Sequence, residues 1–256
     1  MAIADFLRRL PLALCCLLVL LLVPAPARAA DANPFDQACS AYDRGDFPAA
    51  KQAYDQLLAT QGWNPTLLFN LANTEFRSGA LGRAALLYQR TLWIAPTHRQ
   101  AADNLHIALE RSGTPNPPRD WTAPLHSKPA RDLATLGTAL SLWALLASIA
   151  FLLLARTRRT IAASLITLAS LVGSATCGIL LVHNIREDSI ALVTTAQATA
   201  RLAPADRASI AAQLTAGTPV HILSVRGDWT YCTLPNDSQG WLPSASLEEL
   251  LPIGAR

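Results

Sequence analysis

The chain has 256 residues, of which 51% are hydrophobic, 15% charged and 6% aromatic, with a formal net charge of +3. A soluble domain carries about 25% charged residues, so the composition excludes an ordinary soluble protein, and its apolar content excludes a disordered one. Five cysteines exclude a disulfide scaffold, and so small a positive surplus gives no case for a nucleic-acid partner.

The first element is a short apolar run, Leu10–Val23, preceded by Arg8 and Arg9 and followed by Ala27-Arg28-Ala29. Charge, short apolar run and small-residue cleavage site in that order predict a secretory signal peptide over residues 1–29. The alternative is a retained signal anchor, although the run is short of the ~20 apolar residues of a spanning helix. Leu14 before Cys15 is too bulky for lipoprotein processing.

Residues 33–113 show a helical pattern with an internal repeat. Gly45 and Gly79 are 34 positions apart, as are Tyr42 and Phe76, Phe47 and Leu81, Ala50 and Ala84, and Tyr54 and Tyr88. That period of helix-turn-helix units predicts tetratricopeptide repeats, with the glycine ending each first helix and Thr97–Ser112 as a closing helix. Stacked helical pairs form a concave surface. Asn70, Asn73, Arg77 and Asn104 are the groove candidates: the amides to bond a short peptide segment and Arg77 to meet a carboxylate. The alternative is that Asn70 and Asn104 only cap or brace neighbouring helices. Residues 114–131 hold five prolines and predict an extended linker, with Trp121 suited to the headgroup level of a bilayer.

Two uncharged stretches follow. Residues 133–155 and 160–183 each have the length of a membrane span. Only Arg156, Thr157, Arg158 and Arg159 separate them, so a tight hairpin is expected, its three arginines on the cytoplasmic side. Export of the N-terminus then puts 33–113 and 190–252 outside the cytoplasm. Ala169, Gly173, Ser174 and Gly178 recur about every fourth position, which lets helices approach closely. They are expected to pack on Gly137, Ser141 and Ser148; the alternative is contact with another membrane protein.

Residues 190–252 change to short β-rich runs: Ile190–Thr194, Thr218–Val225, Trp229–Leu234 and Gln239–Leu242, with turns at Arg226-Gly227-Asp228 and Pro235–Ser238. A small β-barrel is expected, with Asp206–Gln213 as a long loop and Gly217 and Gly240 in tight turns. Thr199–Leu202, Leu214–Val220, Gly227–Tyr231 and Gly240–Pro243 resemble, in order, the motifs of bacterial SH3-like domains. Trp229, Tyr231 and Trp241 are then either core bulk or the lining of a peptide groove.

The fold class read from the sequence is a multidomain membrane protein: α-helical repeats, two transmembrane helices and a C-terminal SH3-like β-barrel. That order resembles the BatE-type proteins of bacterial aerotolerance operons. The resemblance implies a non-catalytic member of an envelope complex with von Willebrand A domain membrane proteins and a MoxR-type ATPase. An envelope enzyme or a peptidoglycan-binding factor is the alternative, since SH3-like modules accompany cell-wall hydrolases. The five histidines are scattered, and no His-Glu-x-x-His, Cys-x-x-Cys or phosphate loop occurs. No cofactor, metal site or catalytic residue is expected. The absence of charge within the spans disfavours a transporter. Cys39 and Cys232 are expected free and buried, with a disulfide between them in an oxidising compartment as the alternative.

Overall fold

Each of the first three helices begins where a side chain satisfies an orphan amide. In the computed structural model, which describes residues 33–115, 127–154, 161–187 and 190–251, α1 (Pro34–Asp43) is capped by Asn33, whose side chain accepts from the Phe35 amide at 3.2 Å. Asp46 caps α2 (Phe47–Gln61) through the Ala49 amide, and Asn64 caps α3 (Pro65–Arg77) through the Thr66 amide. Pro34, Pro48 and Pro65 stand in the first turns, where a missing N–H costs nothing. Helix α4 is Leu81–Ile94, and α5 is Arg99–Ser112. His98 is not on α5 but caps it, its Nδ1 accepting from the Ala101 amide at 3.2 Å.

The helices stack in sequence, each against the next. Their 34-residue register is visible in the backbone. Gly45, Gly79 and Gly113 follow α1, α3 and α5 with φ of 77°, 86° and 73°, a region that favours glycine. The register also repeats in side chains. Arg77 lies over the rings of Tyr42 and Phe47, and Arg111 over Phe76, one period on. Tyr54 meets Cys39 at 3.3 Å, and Tyr88 donates to Asn73 at 2.7 Å, again one period on. The helical core is Ala38, Ala50, Tyr54, Leu68, Leu71, Ala72, Ala84 and Tyr88 with their neighbours.

Two long helices follow, α6 (Lys128–Leu154) and α7 (Ile161–Glu187). Ser148 accepts from Thr167 at 3.0 Å and Ser141 from Ser174 at 2.9 Å, while a Cβ on Gly137 would stand 3.0 Å from the Cys177 sulfur. Partner numbers rise on one helix as they fall on the other, so the pair is antiparallel. Gly137, Ser141, Ser148, Gly173 and Ser174 therefore face the partner helix, as expected, whereas Ala169 is exposed and Gly178 has open space. The stretch Lys128–Phe151 is long and apolar enough to cross a bilayer, with a mean hydropathy of 1.8. In α7 the apolar stretch among the described residues is Thr167–Ile179. Helix α6 starts before the expected span and takes Lys128 and Pro129 from the expected linker. The signal peptide, most of the linker with Trp121, and Arg156, Arg158 and Arg159 lie outside the described residues.

The C-terminal segment forms seven antiparallel strands: β1 (Ile190–Val193), β2 (Gln197–Arg201), β3 (Ile210–Thr215), β4 (Pro219–Arg226), β5 (Trp229–Thr233), β6 (Gln239–Pro243) and β7 (Leu247–Glu249). Their order is β3-β2-β6-β5-β4-β1-β7, and the arrangement is that of an SH3-like domain. Two expectations are corrected. Residues 210–213 belong to strand β3, paired with β2 from Gln197↔Thr215 to Arg201↔Ile210 with a register shift between Ala200 and Arg201, not to a loop. Gly240 lies inside β6 rather than in a turn; a Cβ there would stand 3.1 Å from that of Ala200.

The helical and β-domains are not separate. Strand β1 alternates, as strands must: Ala191 and Val193 enter the β-core, and Leu192 points the other way into a third core with Ala85, Leu86 and Leu109 of α4 and α5. Gly82 makes the approach possible, since a Cβ there would lie 2.5 Å from the Val193 carbonyl oxygen. Lys128, at the start of α6, sits over Trp93 of α4 with its ammonium 5.6 Å from the ring centroid, tying the long helix to the same assembly.

Candidate functional site

The residues expected to line a helical groove are mostly committed to the fold. The Asn73 side-chain oxygen accepts from the Tyr88 hydroxyl at 2.7 Å and from the Asn104 amide at 3.0 Å. These three side chains tie α3, α4 and α5 together, so Asn73 and Asn104 are braces. Burial pushes the Tyr88 hydroxyl up to about 12, against the opposing effect of its bond with Asn104. Arg77 meets rings rather than a carboxylate. Asn70 is half-buried; its carbonyl accepts from Thr74, and its side chain makes no hydrogen bond among the described residues.

Buried charge gathers instead on the flank of α4. Glu75, 2% exposed, pairs with Lys51 at 2.7 Å and Arg83 at 2.8 Å. Arg83 also reaches Glu248 at 3.5 Å. Arg90, two helical turns along the same face, donates to Glu248 at 2.9 Å and to the carbonyls of Glu249 and Leu250 at 2.7 and 3.1 Å. Its guanidinium lies 4.9 Å from the Trp63 ring centroid. Burial pushes the Arg90 pKa down, and the Glu248 carboxylate opposes that shift. On the other side of the third core, buried Thr114 meets the Thr215 hydroxyl at 2.6 Å and donates to the Ala216 carbonyl at 2.7 Å. None of these docking residues was singled out from the sequence. The spacing of Arg83 and Arg90 on one helix face was the available signal.

The three aromatic residues expected on the β-domain are together on one face. Along β5, Thr230 and Cys232 are buried and Trp229, Tyr231 and Thr233 half-buried. Tyr231 pairs across the sheet with Trp241, ring centroids 4.9 Å apart, and Trp229 pairs with Pro243. The tryptophans are therefore half-exposed surface, and the core bulk comes from Ala191, Val193, Val220, Leu234 and Leu242. The Tyr231 hydroxyl donates to Gln239 at 2.8 Å, which fixes its ring. Arg226 lies over Trp241 at 5.6 Å. Cys39 and Cys232 are free thiols; Cys232 is buried, whereas Cys39 is only partly so. Among the described residues there is no cluster of three His, Cys, Asp or Glu side chains arranged to hold a metal ion.

Residues 201–247 match the family model of the bacterial dipeptidyl-peptidase SH3 domain. The SH3-like domain thus covers β3 to β6 and the aromatic face. Strand β1 and residues 248–251, which carry much of the docking to α4, lie outside the matched segment. No curated protein and no solved structure matches the chain.

Proposed function

We propose that this chain is a non-catalytic, membrane-anchored adaptor of the bacterial envelope, in which a tetratricopeptide-repeat domain and an SH3-like domain bind protein partners as one rigid head. The observation that carries this reading is the docking of the two domains through the Leu192 core and the Arg90–Glu248 pair. Docked domains sit on the same side of any bilayer. The antiparallel helices α6 and α7 connect them, so once α6 crosses, α7 must return the chain. This parity supports two spans with both domains on one side; the export signal and the three arginines of the 156–159 loop assign that side to the outside of the cytoplasm. The repeated glycines and the arginine-on-ring contacts one period apart support the tetratricopeptide reading. The same architecture supports the BatE-type resemblance, and with it partners of the von Willebrand A domain class working with a MoxR-type ATPase.

The test is affinity capture with the complete detergent-solubilised protein, followed by identification of co-purifying membrane proteins. Recovery of von Willebrand A domain proteins is expected, and recovery of none overturns the partner assignment. A reporter fused after Arg256 is expected to be active outside the cytoplasm; cytoplasmic activity overturns the two-span topology. The matched SH3 domain is named for a peptidase, which favours cell-wall binding or hydrolysis as the second reading. Clearing of cell-wall material in a zymogram of the whole protein would establish hydrolysis in place of the adaptor role.

A further inference from the structure

We propose that the aromatic face of the SH3-like domain receives an acidic, extended segment of a partner protein, stacked on Tyr231 and Trp241 and held by the guanidiniums of Arg226 and Arg201. The inference rests on the adaptor reading and specifies the ligand chemistry of one of its two domains.

The strand registers carry it. Ile210 lies opposite Arg201, Arg201 opposite Trp241, Trp241 opposite Tyr231, and Tyr231 opposite Ser224. Residues directly opposite share a face; the register shifts at Ala200/Arg201 and at Ile222/Ser224 leave Ile210 and Ser224 exposed on that face, so these five form one row from β3 to β4. At ~4.8 Å per strand the row is about 19 Å long, the span of about six extended residues. It is a strip, shaped for a chain rather than for a small ion. Ile210 at one end is 58% exposed, which provides apolar contact beyond Arg201. The helical domain docks on β1, β7 and the Thr215–Ala216 end of β3, whereas Ile210 and Ser224 are exposed and Arg201, Tyr231 and Trp241 half-buried, so the row stays accessible.

The charge on the row is one-sided. Arg226 lies over Trp241, and Arg201 is its register partner on β2. Arg201 is held by its donation to the Ala208 carbonyl at 2.7 Å. Neither arginine makes an ion pair among the described residues, whereas Arg83 and Arg90 both meet Glu248. Two guanidiniums without a carboxylate among the described residues, flanking a cross-strand aromatic pair, favour a ligand that brings the carboxylate itself.

The probe is a labelled twelve-residue peptide of alternating glutamate and proline, compared by fluorescence anisotropy with its glutamine counterpart against the complete detergent-solubilised protein. Binding of the glutamate peptide is expected to be at least tenfold tighter and to weaken with salt. Arg226→Gln, an exposed position where folding is not at risk, is expected to weaken it at least fivefold, as is Trp241→Ala. Equal binding of the two peptides, or an Arg226→Gln variant that binds as the parent does, overturns the proposal. Displacement of the glutamate peptide by soluble cell-wall fragments at lower concentration than by the unlabelled peptide also overturns it, and assigns the row to the cell wall. If membrane partners are still captured while the peptides fail to discriminate, only this inference falls. If capture fails as well, the adaptor reading falls with it.

Discussion

Arg90 and Glu248 meet at 2.9 Å across 158 positions of sequence, and through them the last strand is clamped to the fourth helix. The Arg90 side chain is 8% exposed, and Glu248, at 32%, keeps contact with water. Arg90 also satisfies the carbonyls of two consecutive residues, so it acts as the peg and Glu248 as its counter-ion.

Arg90→Ala is therefore expected to cost about 3 kcal/mol of stability, because it removes a buried ion pair and leaves two carbonyls without their donor. Glu248→Gln keeps a hydrogen-bonding partner and should cost only about 1 kcal/mol. Denaturant unfolding of the purified protein reads both. The variant should also lose cooperativity between the domains. Arg90→Ala that unfolds at the parent midpoint in one transition would show that the clamp contributes nothing to docking.

Gly82→Ala tests the same interface through backbone sterics. Its Cβ would fall 2.5 Å from the Val193 carbonyl oxygen and 2.9 Å from that of Thr194. Neither neighbour is a flexible side chain, so the helix and strand must part, at about 1–3 kcal/mol. The Val193 oxygen also accepts from the Gly217 amide at 2.7 Å. Faster hydrogen exchange at Gly217 is the expected local signature, and unchanged exchange there would mean that the interface absorbs the methyl group.

The sequence carried some of this architecture in readable form. The 34-residue register was legible because glycine and aromatic positions repeat, and it extends further than expected, to Gly113 and Arg111. Strand β3 was missed because Ile-Ala-Ala-Gln-Leu-Thr has no alternation and two alanines; pairing with β2 makes it a strand. The docking was missed for a different reason. Ile-Ala-Leu-Val at 190–193 does not alternate, which is how a strand covered on both faces reads, yet nothing local says what covers the second face. Only the fold brings Leu192 to Leu86 and Leu109. On the β-domain the aromatic residues were legible but not their common face, which strand pairing supplies, as it does the place of Arg201 and Arg226 beside them.

Asn73 and Asn70 separate bracing from binding. Asn73→Ala leaves Tyr88 and Asn104 without their shared acceptor and should cost about 1–2 kcal/mol. Asn70→Ala breaks no side-chain hydrogen bond among the described residues and should stay within about 0.5 kcal/mol of the parent. Denaturant midpoints read both. A destabilising Asn70→Ala together with a neutral Asn73→Ala would reverse these roles.

Alkaline stability should carry the mark of three buried acids: burial pushes the Tyr54 hydroxyl up as well as the two groups that follow. Burial pushes the Cys232 thiol from an ordinary 9.0 up to about 12, and the Tyr88 hydroxyl from 10.0 up to about 12. In each case the unfolded chain ionises at a pH where the folded group stays neutral. The stabilisation is complete below about pH 9 and is lost as pH rises towards 12, with a slope of up to about 1.4 kcal/mol per pH unit for each titrating group. Between pH 9 and 10 the thiol dominates, since in the unfolded chain it is more than half ionised there and Tyr88 less than half. Cys232→Ala costs stability at pH 7 through its cavity, but its denaturant midpoint should fall less steeply than that of the parent from pH 9 upward. Parallel profiles for the two proteins across pH 8–11 would show that Cys232 titrates normally and is not sealed in the β-core.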